Sequence, residues 1–226
     1  MDRLRAFVAS PRFRLFADAC LLTAGTFAAC VAVGGGLVQL LGLVGGPVAN
    51  VVQALLGPIF TFAALFVGPG AAWVLRGRRL SGAAVIGALF GLVAMVAVLG
   101  ILIAGVLTIA RPIVGAEAPT AIALASIFGV AVIAIVAVSL TDAIRDLRGA
   151  RASTRLDALR LAAAAAIVLF LAAMGVAMVV APGTDILEAL PIMIVFALAG
   201  GMMTAGAGAA DRGAAHSGTG DAAPSA

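Results

Sequence analysis

The chain has 226 residues, of which 64% are hydrophobic and only 11% are charged, and its mean hydropathy is +1.23. A soluble domain carries roughly a quarter of charged residues, so this composition excludes a soluble globular protein. It predicts an all-α integral membrane protein with a single helical domain. The net charge of +4 comes from arginines that flank apolar segments, so we expect a lipid bilayer, and no nucleic acid, as the partner of this charge.

The N-terminal segment is basic and leads into a long uncharged stretch. Four arginines lie before residue 15, and residues 19–75 carry no charge. Residues 27–30 loosely resemble a lipoprotein cleavage site, but the apolar region of a cleaved signal peptide is much shorter than this stretch. We therefore predict an uncleaved first helix that begins near residue 19.

Asp18 is the acidic residue closest to this apolar stretch, and it follows Arg14 by four residues. This spacing places both side chains on one face of a helix, so we predict an ion pair between Arg14 and Asp18 in the membrane interface. Cys20 and Cys30 would be about 15 Å apart on the same helix, too far for a disulfide bond within it. We expect both cysteines to pack as small apolar side chains.

Charges and Gly/Pro clusters divide the chain into six apolar segments, each long enough to cross a hydrocarbon core about 30 Å thick. The Gly-Gly-Pro sequence at residues 45–47 predicts a tight turn. We predict one six-helix transmembrane domain over residues 1–206 and a disordered cytoplasmic tail over residues 207–226. The predicted helices span residues 19–44, 48–75, 81–110, 120–141, 156–181 and 186–205.

The boundary between the first two helices admits two interpretations. In one, residues 45–47 are the turn of a simple helical hairpin. In the other, the first helix breaks at the glycines of residues 34–36, and residues 37–56 form an interfacial or re-entrant segment. Backbone that leaves the helical state inside a membrane must be sheltered by protein or water, so the second interpretation requires a covering element.

Three amide side chains lie near the predicted turn: Gln39 at the end of the first helix, and Asn50 and Gln53 at the start of the second. A hairpin would bring these ends together. The three amides are therefore candidates either for hydrogen bonds that hold the helices together or for the mouth of a small-solute site. Small residues four positions apart, such as Gly87 and Gly91, allow helix backbones to approach closely without naming a partner.

Residues 142–160 form the longest charged connection between predicted helices. Asp142 and Arg145 have the spacing of an ion pair on a helix that extends beyond the bilayer. Thr154 and Asp157 match a capping box, which predicts a helix start at this point. The connection is interpreted either as a solvated helix end or as a docking site for another membrane subunit or a cytoplasmic partner such as an ATPase.

Most catalytic signatures are absent from the sequence. The sole histidine, His216, lies in the predicted tail, which excludes bis-histidine haem ligation, a serine–histidine dyad and an HExxH zinc site. There is no CxxC motif for thiol redox chemistry and no Walker A loop for ATP. We therefore expect no enzymatic activity, no catalytic residue, no metal site and no cofactor.

The arginines predict the orientation of the chain. Thirteen of the 14 lie in the N-terminal segment, the second and fourth connections and the tail, whereas Arg111 alone lies in an odd-numbered connection. Cationic residues resist translocation, so both termini are predicted to be cytoplasmic in a multi-pass protein of the plasma membrane.

Helix count, orientation and a row of alanines on the first helix, Ala24, Ala28 and Ala32, are loosely similar to the membrane-embedded substrate-binding subunits of energy-coupling-factor vitamin transporters. The resemblance implies a transporter-like subunit that handles a small solute, although few polar residues are present to hold a vitamin. The alternative is an accessory or scaffold subunit that packs against another membrane complex. A polar cavity between the first, second and sixth helices would favour transport, and a dry interior would favour scaffolding.

Overall fold

A computed structural model of the chain describes residues 2–114, 118–149, 155–180 and 189–217, and it contains no β-strand in these ranges. Six of its seven helices are long and apolar enough to cross a membrane, as the sequence predicts. The helices are α1 (Asp2–Ala9), α2 (Pro11–Val44), α3 (Pro47–Leu75), α4 (Gly82–Val114), α5 (Ala118–Arg148), α6 (Arg155–Val180) and α7 (Ala189–Ser217).

Helix α2 begins eight residues before the predicted start at residue 19. Ser10 caps it, because its hydroxyl accepts a hydrogen bond from the Phe13 N–H at 3.2 Å. Pro11 occupies the first helical position, where its missing N–H costs nothing. Arg12 and Arg14 therefore lie in the first turns of α2, and Arg3 and Arg5 lie in the short preceding helix α1.

The turn between α2 and α3 lies at the predicted Gly-Gly-Pro sequence. Gly45 and Gly46 have φ angles of 67° and 92°, which L side chains rarely adopt, and Pro47 opens α3. Helix α2 continues unbroken through Gly34, Gly35 and Gly36, so residues 37–56 are helical on both sides of the turn. The structure thus has a continuous helical hairpin here.

The N-terminal half of α2 is the centre of the bundle. Its residues from Leu15 to Ala28 are mostly buried and pack against α3, α5, α6 and α7, whereas α4 packs mainly against α7. Gly25 lies against the backbone of Ala163, and Gly68 lies against the backbone of Thr23. Any side chain at these two glycines would collide with the neighbouring helix, so their small size sets the distance between the helices.

The two ends of the bundle differ in their packing. At the end that contains Asp18 and Arg160, which we call the charged end, apolar clusters fill the space between helices. At the opposite end, where the α2–α3 turn lies, most of residues 31–44 and 47–60 are exposed on the surface of the bundle. The helices at this opposite end thus contact few helices other than their hairpin partner.

The C-terminal segment differs from its prediction of disorder. Helix α7 continues through Ser217, well beyond the predicted end at residue 205. Ala207 is buried, and the Asp211 carboxylate accepts a hydrogen bond from the Ser81 hydroxyl at 3.3 Å. Because alanine and glycine give no strong apolar periodicity, the sequence pattern missed close packing that depends on their small size. Residues 218–226 lie outside the described residues.

The charged connection at residues 142–160 begins on an extended helix and ends on the next one, as the charge spacing predicts. Helix α5 extends to Arg148 and α6 begins at Arg155, so most of the connection is helical. Thr154, the predicted capping residue, lies outside the described residues. At another predicted helix start, the Ser81 hydroxyl accepts a hydrogen bond from the Ala84 N–H at 3.0 Å and thereby caps α4.

Candidate functional site: a buried ionic cluster and two apolar grooves

Asp18 is the centre of a buried ionic cluster at the charged end of the bundle. Its side chain lies on α2 and is fully buried. Four other polar side chains complete what we call the Asp18 cluster: Arg76 after α3, Ser139 on α5, and Asp157 and Arg160 on α6. The cluster therefore joins four helices that are far apart in sequence.

Arg160 donates two parallel hydrogen bonds to the Asp18 carboxylate. Its Nε lies 2.8 Å from Asp18 Oδ1, and its Nη2 lies 2.8 Å from Oδ2. Planar guanidinium and carboxylate groups match in this arrangement, which is among the strongest side-chain contacts in proteins. The remaining Nη1 of Arg160 lies 2.8 Å from Asp157 Oδ1, three residues earlier on α6.

Two further donors complete the shell of Asp18. Arg76 places its Nε 2.7 Å and its Nη2 2.6 Å from Oδ2, and the Ser139 hydroxyl donates to Oδ1 at 2.6 Å. Arg76 directly follows α3 and lies at its C-terminal end, where a cation also interacts favourably with the helix dipole. Asp157 is in the first turn of α6, where an acidic residue is favoured for the same reason.

The electrostatics of the Asp18 cluster are those of a closed, balanced site. Among the described residues, two carboxylates face two guanidinium groups with balanced formal charges, and the oxygens of Asp18 already accept hydrogen bonds from three side chains. A buried charge is tolerated only with such compensation. Asp18 therefore has no open hydrogen-bonding position for a substrate. The Asp18 cluster instead connects α2 to the helices that carry its partners.

The ion pair predicted between Arg14 and Asp18 is replaced by three other pairs. Asp18 is bound by Arg76 and Arg160, and Arg14 Nε instead lies 3.4 Å from Asp142 Oδ2. The physical reason is the direction of the two side chains. Asp18 points into the bundle, where guanidinium groups from other helices meet it, whereas Arg14 is 42% exposed at the margin.

The three predicted amides are not joined into one cluster. Gln53 Nε2 donates to the carbonyl oxygen of Val38 at 2.9 Å, which connects α3 to α2 within the hairpin. The side chains of Gln39 and Asn50 are exposed, and within the described residues no hydrogen bond links them to each other or to Gln53. Of the three amides, only Gln53 thus forms a hydrogen bond between the two helices, and a solute site at these amides stays a prediction.

Two apolar grooves open on the sides of the bundle. The first, which we call the hairpin groove, lies between α2, α3 and α7 and has a volume of about 290 Å³. Its walls include Phe27, Phe60 and Phe196, and the Thr61 hydroxyl on this wall already donates to the Gly57 carbonyl at 2.8 Å. A polar cavity between these three helices would favour transport, and the groove that they form is lined mainly by apolar atoms.

The second groove, which we call the α4 groove, lies between α3, α4 and α7 and has a volume of about 240 Å³. Its lining is also apolar, and the Thr204 hydroxyl on its wall donates to the Gly201 carbonyl at 2.8 Å. Both grooves are open at the side. An apolar chain or small apolar molecule suits such a surface better than a polar solute.

No known protein-family model, curated protein or solved structure matches the chain. Of the alanines that carry the loose resemblance to vitamin-transporter subunits, Ala24 and Ala28 are buried in the bundle and Ala32 is exposed. Among the described residues, no three histidine, cysteine or acidic side chains lie together as a potential metal site, and Cys20 and Cys30 are free thiols.

Sequence reasoning missed four members of the Asp18 cluster. Arg160 was counted as one of several arginines that set the orientation, and Arg76 was interpreted in the same way. One signal was available: Asp157 and Arg160 lie three residues apart at the start of an otherwise alanine-rich apolar helix. Such a pair indicates a charged face that must meet compensating groups, but it does not identify them.

Proposed function

We propose that this chain is a non-enzymatic, multi-pass protein of the plasma membrane that acts as an accessory subunit and packs against another membrane protein. The supporting observation is the distribution of helical glycines. Near the charged end, helical glycines other than Gly70, Gly82 and Gly213 pack against neighbouring helices, whereas most helical glycines toward the opposite end face open space. The partner is expected at this opposite end.

Glycine within a helix is less favourable than alanine by about 1 kcal/mol, and in membranes it is well suited to close contact between helix backbones. Gly87, Gly91 and Gly206 serve this role where α4 crosses α7. Several other helical glycines have no atom of the described structure within 4 Å of the position a side chain would take. Toward the opposite end, these open glycines are Gly35, Gly36, Gly57, Gly100, Gly105 and Gly175. A helix of another subunit would give them the same role.

The chemistry of the charged end supports the non-enzymatic part of the proposal. Asp18, the most deeply buried acid of the described chain, is saturated by its three donors, so it lacks the open hydrogen-bonding position that a general base needs. A second contact surface is proposed at residues 142–160, where the exposed Arg145 and Arg148 end α5 and can meet an acidic surface of a cytoplasmic partner.

The membrane contact is tested by photo-crosslinking in native membranes. A photoreactive residue at Leu40 or Val96, each one helical turn from the open glycines Gly36 and Gly100, is expected to form an adduct of discrete mass with a protein. Both positions are highly exposed. Ile133 on α5, a helix without an open glycine, is similarly exposed and serves as the matched control, where we expect lipid adducts alone.

The same experiment also tests whether contact with a partner requires the glycines or only an exposed apolar surface. Gly36→Leu and Gly100→Leu keep the probe positions and the apolar surface, but they prevent a close backbone approach, so the protein adducts should largely disappear. Lipid adducts alone at Leu40 and Val96 would contradict the accessory role. The result would then favour a second function, for which the hairpin groove is the supporting observation: binding and transfer of a small apolar solute. In that case a co-purifying small molecule should be lost in Gly57→Leu, which fills this groove.

The proposed orientation has a separate test. In a chain whose Cys20 and Cys30 are replaced by alanine, single cysteines at residues 115 and 183 should react with an impermeant maleimide on intact cells. Cysteines at Ser153 and Ala215 should react only after permeabilisation, because the arginines keep these segments inside. Labelling of Ser153→Cys on intact cells would reverse the proposed orientation.

A further inference from the structure

The α4 groove has a feature that the hairpin groove lacks, because an arginine packs on the tryptophan that lines one of its ends. Trp73 lines the groove, and the Arg78 guanidinium carbon lies 4.9 Å from the centre of its ring. The indole N–H donates to the carbonyl oxygen of Arg79 at 3.0 Å, so the ring is fixed beside the basic Arg-Gly-Arg-Arg segment. The apolar groove therefore ends at the charged end of the bundle against a cation.

A second guanidinium group reaches the same place from α7. Ala207 lines the groove, and a methyl group on the next residue, Gly208, would lie 3.8 Å from Arg212 Nη1 and 4.0 Å from Arg78 Nη1. The side chains of Arg78 and Arg212 thus converge on one point at the end of the groove. Trp73 is also within 4.0 Å of this point, so the apolar wall is continuous with the two cations.

These arginines differ from those of the Asp18 cluster in their charge balance. Arg76 and Arg160 are neutralised by carboxylates. In the described part of the chain, by contrast, no carboxylate lies within ion-pair distance of Arg78 or Arg212. The nearby Asp211 accepts its hydrogen bond from Ser81. The end of the α4 groove consequently carries a net positive charge.

We propose that the α4 groove is a binding site for an anionic phospholipid. One acyl chain lies in the groove, against Trp73, Ala84 and Ala88, and the phosphate lies between Arg78 and Arg212. Guanidinium groups bind phosphate oxygens through paired hydrogen bonds, and basic pockets between transmembrane helices near the cytoplasmic surface recognise anionic head groups in this way. Specificity for the anionic lipid comes from the two arginines, and retention comes from the groove.

The head-group contact is tested by native mass spectrometry of the full chain in the presence of phosphatidylglycerol or phosphatidylcholine. The unmodified chain should retain phosphatidylglycerol in preference to phosphatidylcholine. Arg212→Gln should weaken phosphatidylglycerol binding by about fivefold, and the double variant R78Q/R212Q by about thirtyfold. Arg12→Gln removes an exposed arginine from α2 and is the matched control, for which no change is expected.

A second pair of variants distinguishes a lipid from a free phosphate. Gly70 lines the α4 groove, and its side-chain position faces open space, so Gly70→Leu fills the groove without a collision. This change should weaken phosphatidylglycerol binding, whereas Gly100→Leu, also in open space but outside the groove, should not. Inorganic phosphate should fail to displace the lipid at millimolar concentration.

Three results would overturn the proposal. One is equal retention of phosphatidylglycerol and phosphatidylcholine by the unmodified chain. Another is an equal loss of binding in Arg12→Gln and Arg212→Gln, which would indicate a general surface charge effect. The third is unchanged phosphatidylglycerol binding in Gly70→Leu together with displacement by inorganic phosphate, which would assign the arginines to a small-anion site. Because Arg212 is exposed, we expect Arg212→Gln to fold normally. This variant therefore still tests the site if Arg78→Gln impairs folding.

Discussion

Replacing Asp18 with asparagine is expected to lower the free energy of unfolding by about 3–5 kcal/mol, because it leaves buried guanidinium charge without its counter-ion. Arg160 is only 3% exposed, so it cannot regain water without opening the contact between α2 and α6. The expected observation is a much lower midpoint temperature for the detergent-solubilised protein, measured as the fraction that stays monodisperse after heating.

Asp142→Asn is the control for this prediction. It also removes one acid from an ion pair with an arginine, but Arg14 is 42% exposed and lies 3.4 Å from the carboxylate. An exposed pair contributes about 0–1 kcal/mol, so this variant should be close to the parent in stability. A midpoint for Asp18→Asn that equals that of Asp142→Asn would show that the Asp18 cluster does not hold the helices together.

A double substitution tests the pairing itself. Asp18→Asn with Arg160→Gln removes one charge of each sign and leaves Arg76 and Asp157, whose formal charges balance. The double variant should therefore be less destabilised than the sum of the two single variants. Additive effects would contradict a direct interaction between Asp18 and Arg160.

The boundaries of the helical hairpin could be predicted from the sequence because local chemistry determines them. Gly45 and Gly46 adopt backbone angles that favour glycine, and Pro47 suits the first position of a helix. The start of α2 was also encoded locally, since Ser10 and Pro11 are a favourable capping pair. The prediction began the helix later because the arginines at residues 12 and 14 do not belong in a hydrocarbon core.

The partners of Asp18 could not be predicted in the same way. Spacing along one helix identifies neighbours on that helix, and it gave Arg14. The observed partners are 58, 121 and 142 residues away in sequence, on elements whose packing the apolar pattern does not specify. Alanine- and glycine-rich helices such as α6 and α7 carry little directional hydrophobic signal, so the sequence does not reveal which face meets α2.

Replacing Gly206 with leucine is the second substitution with a large expected effect. Gly206 lies where α7 crosses α4, and any side chain on it would collide with the carbonyl oxygen of Gly87 and with the backbone of Gly91. These obstructing atoms belong to backbone, so they cannot rotate away as a flexible side chain would. We expect a loss of about 1–3 kcal/mol, with a lower midpoint temperature and a weakened contact between α4 and α7.

Gly100→Leu on α4 is the matched control, because it makes the same change at a helical glycine with no atom of the described residues within 4 Å of its side-chain position. Leucine is a better helix former than glycine, so this variant should be as stable as the parent or slightly more stable. The pair of variants separates close helix packing from glycine content as such. Equal midpoint temperatures for Gly206→Leu and Gly100→Leu would show that α4 and α7 do not depend on their glycine crossing, and α4 would then have to be held by its weaker contacts with α5.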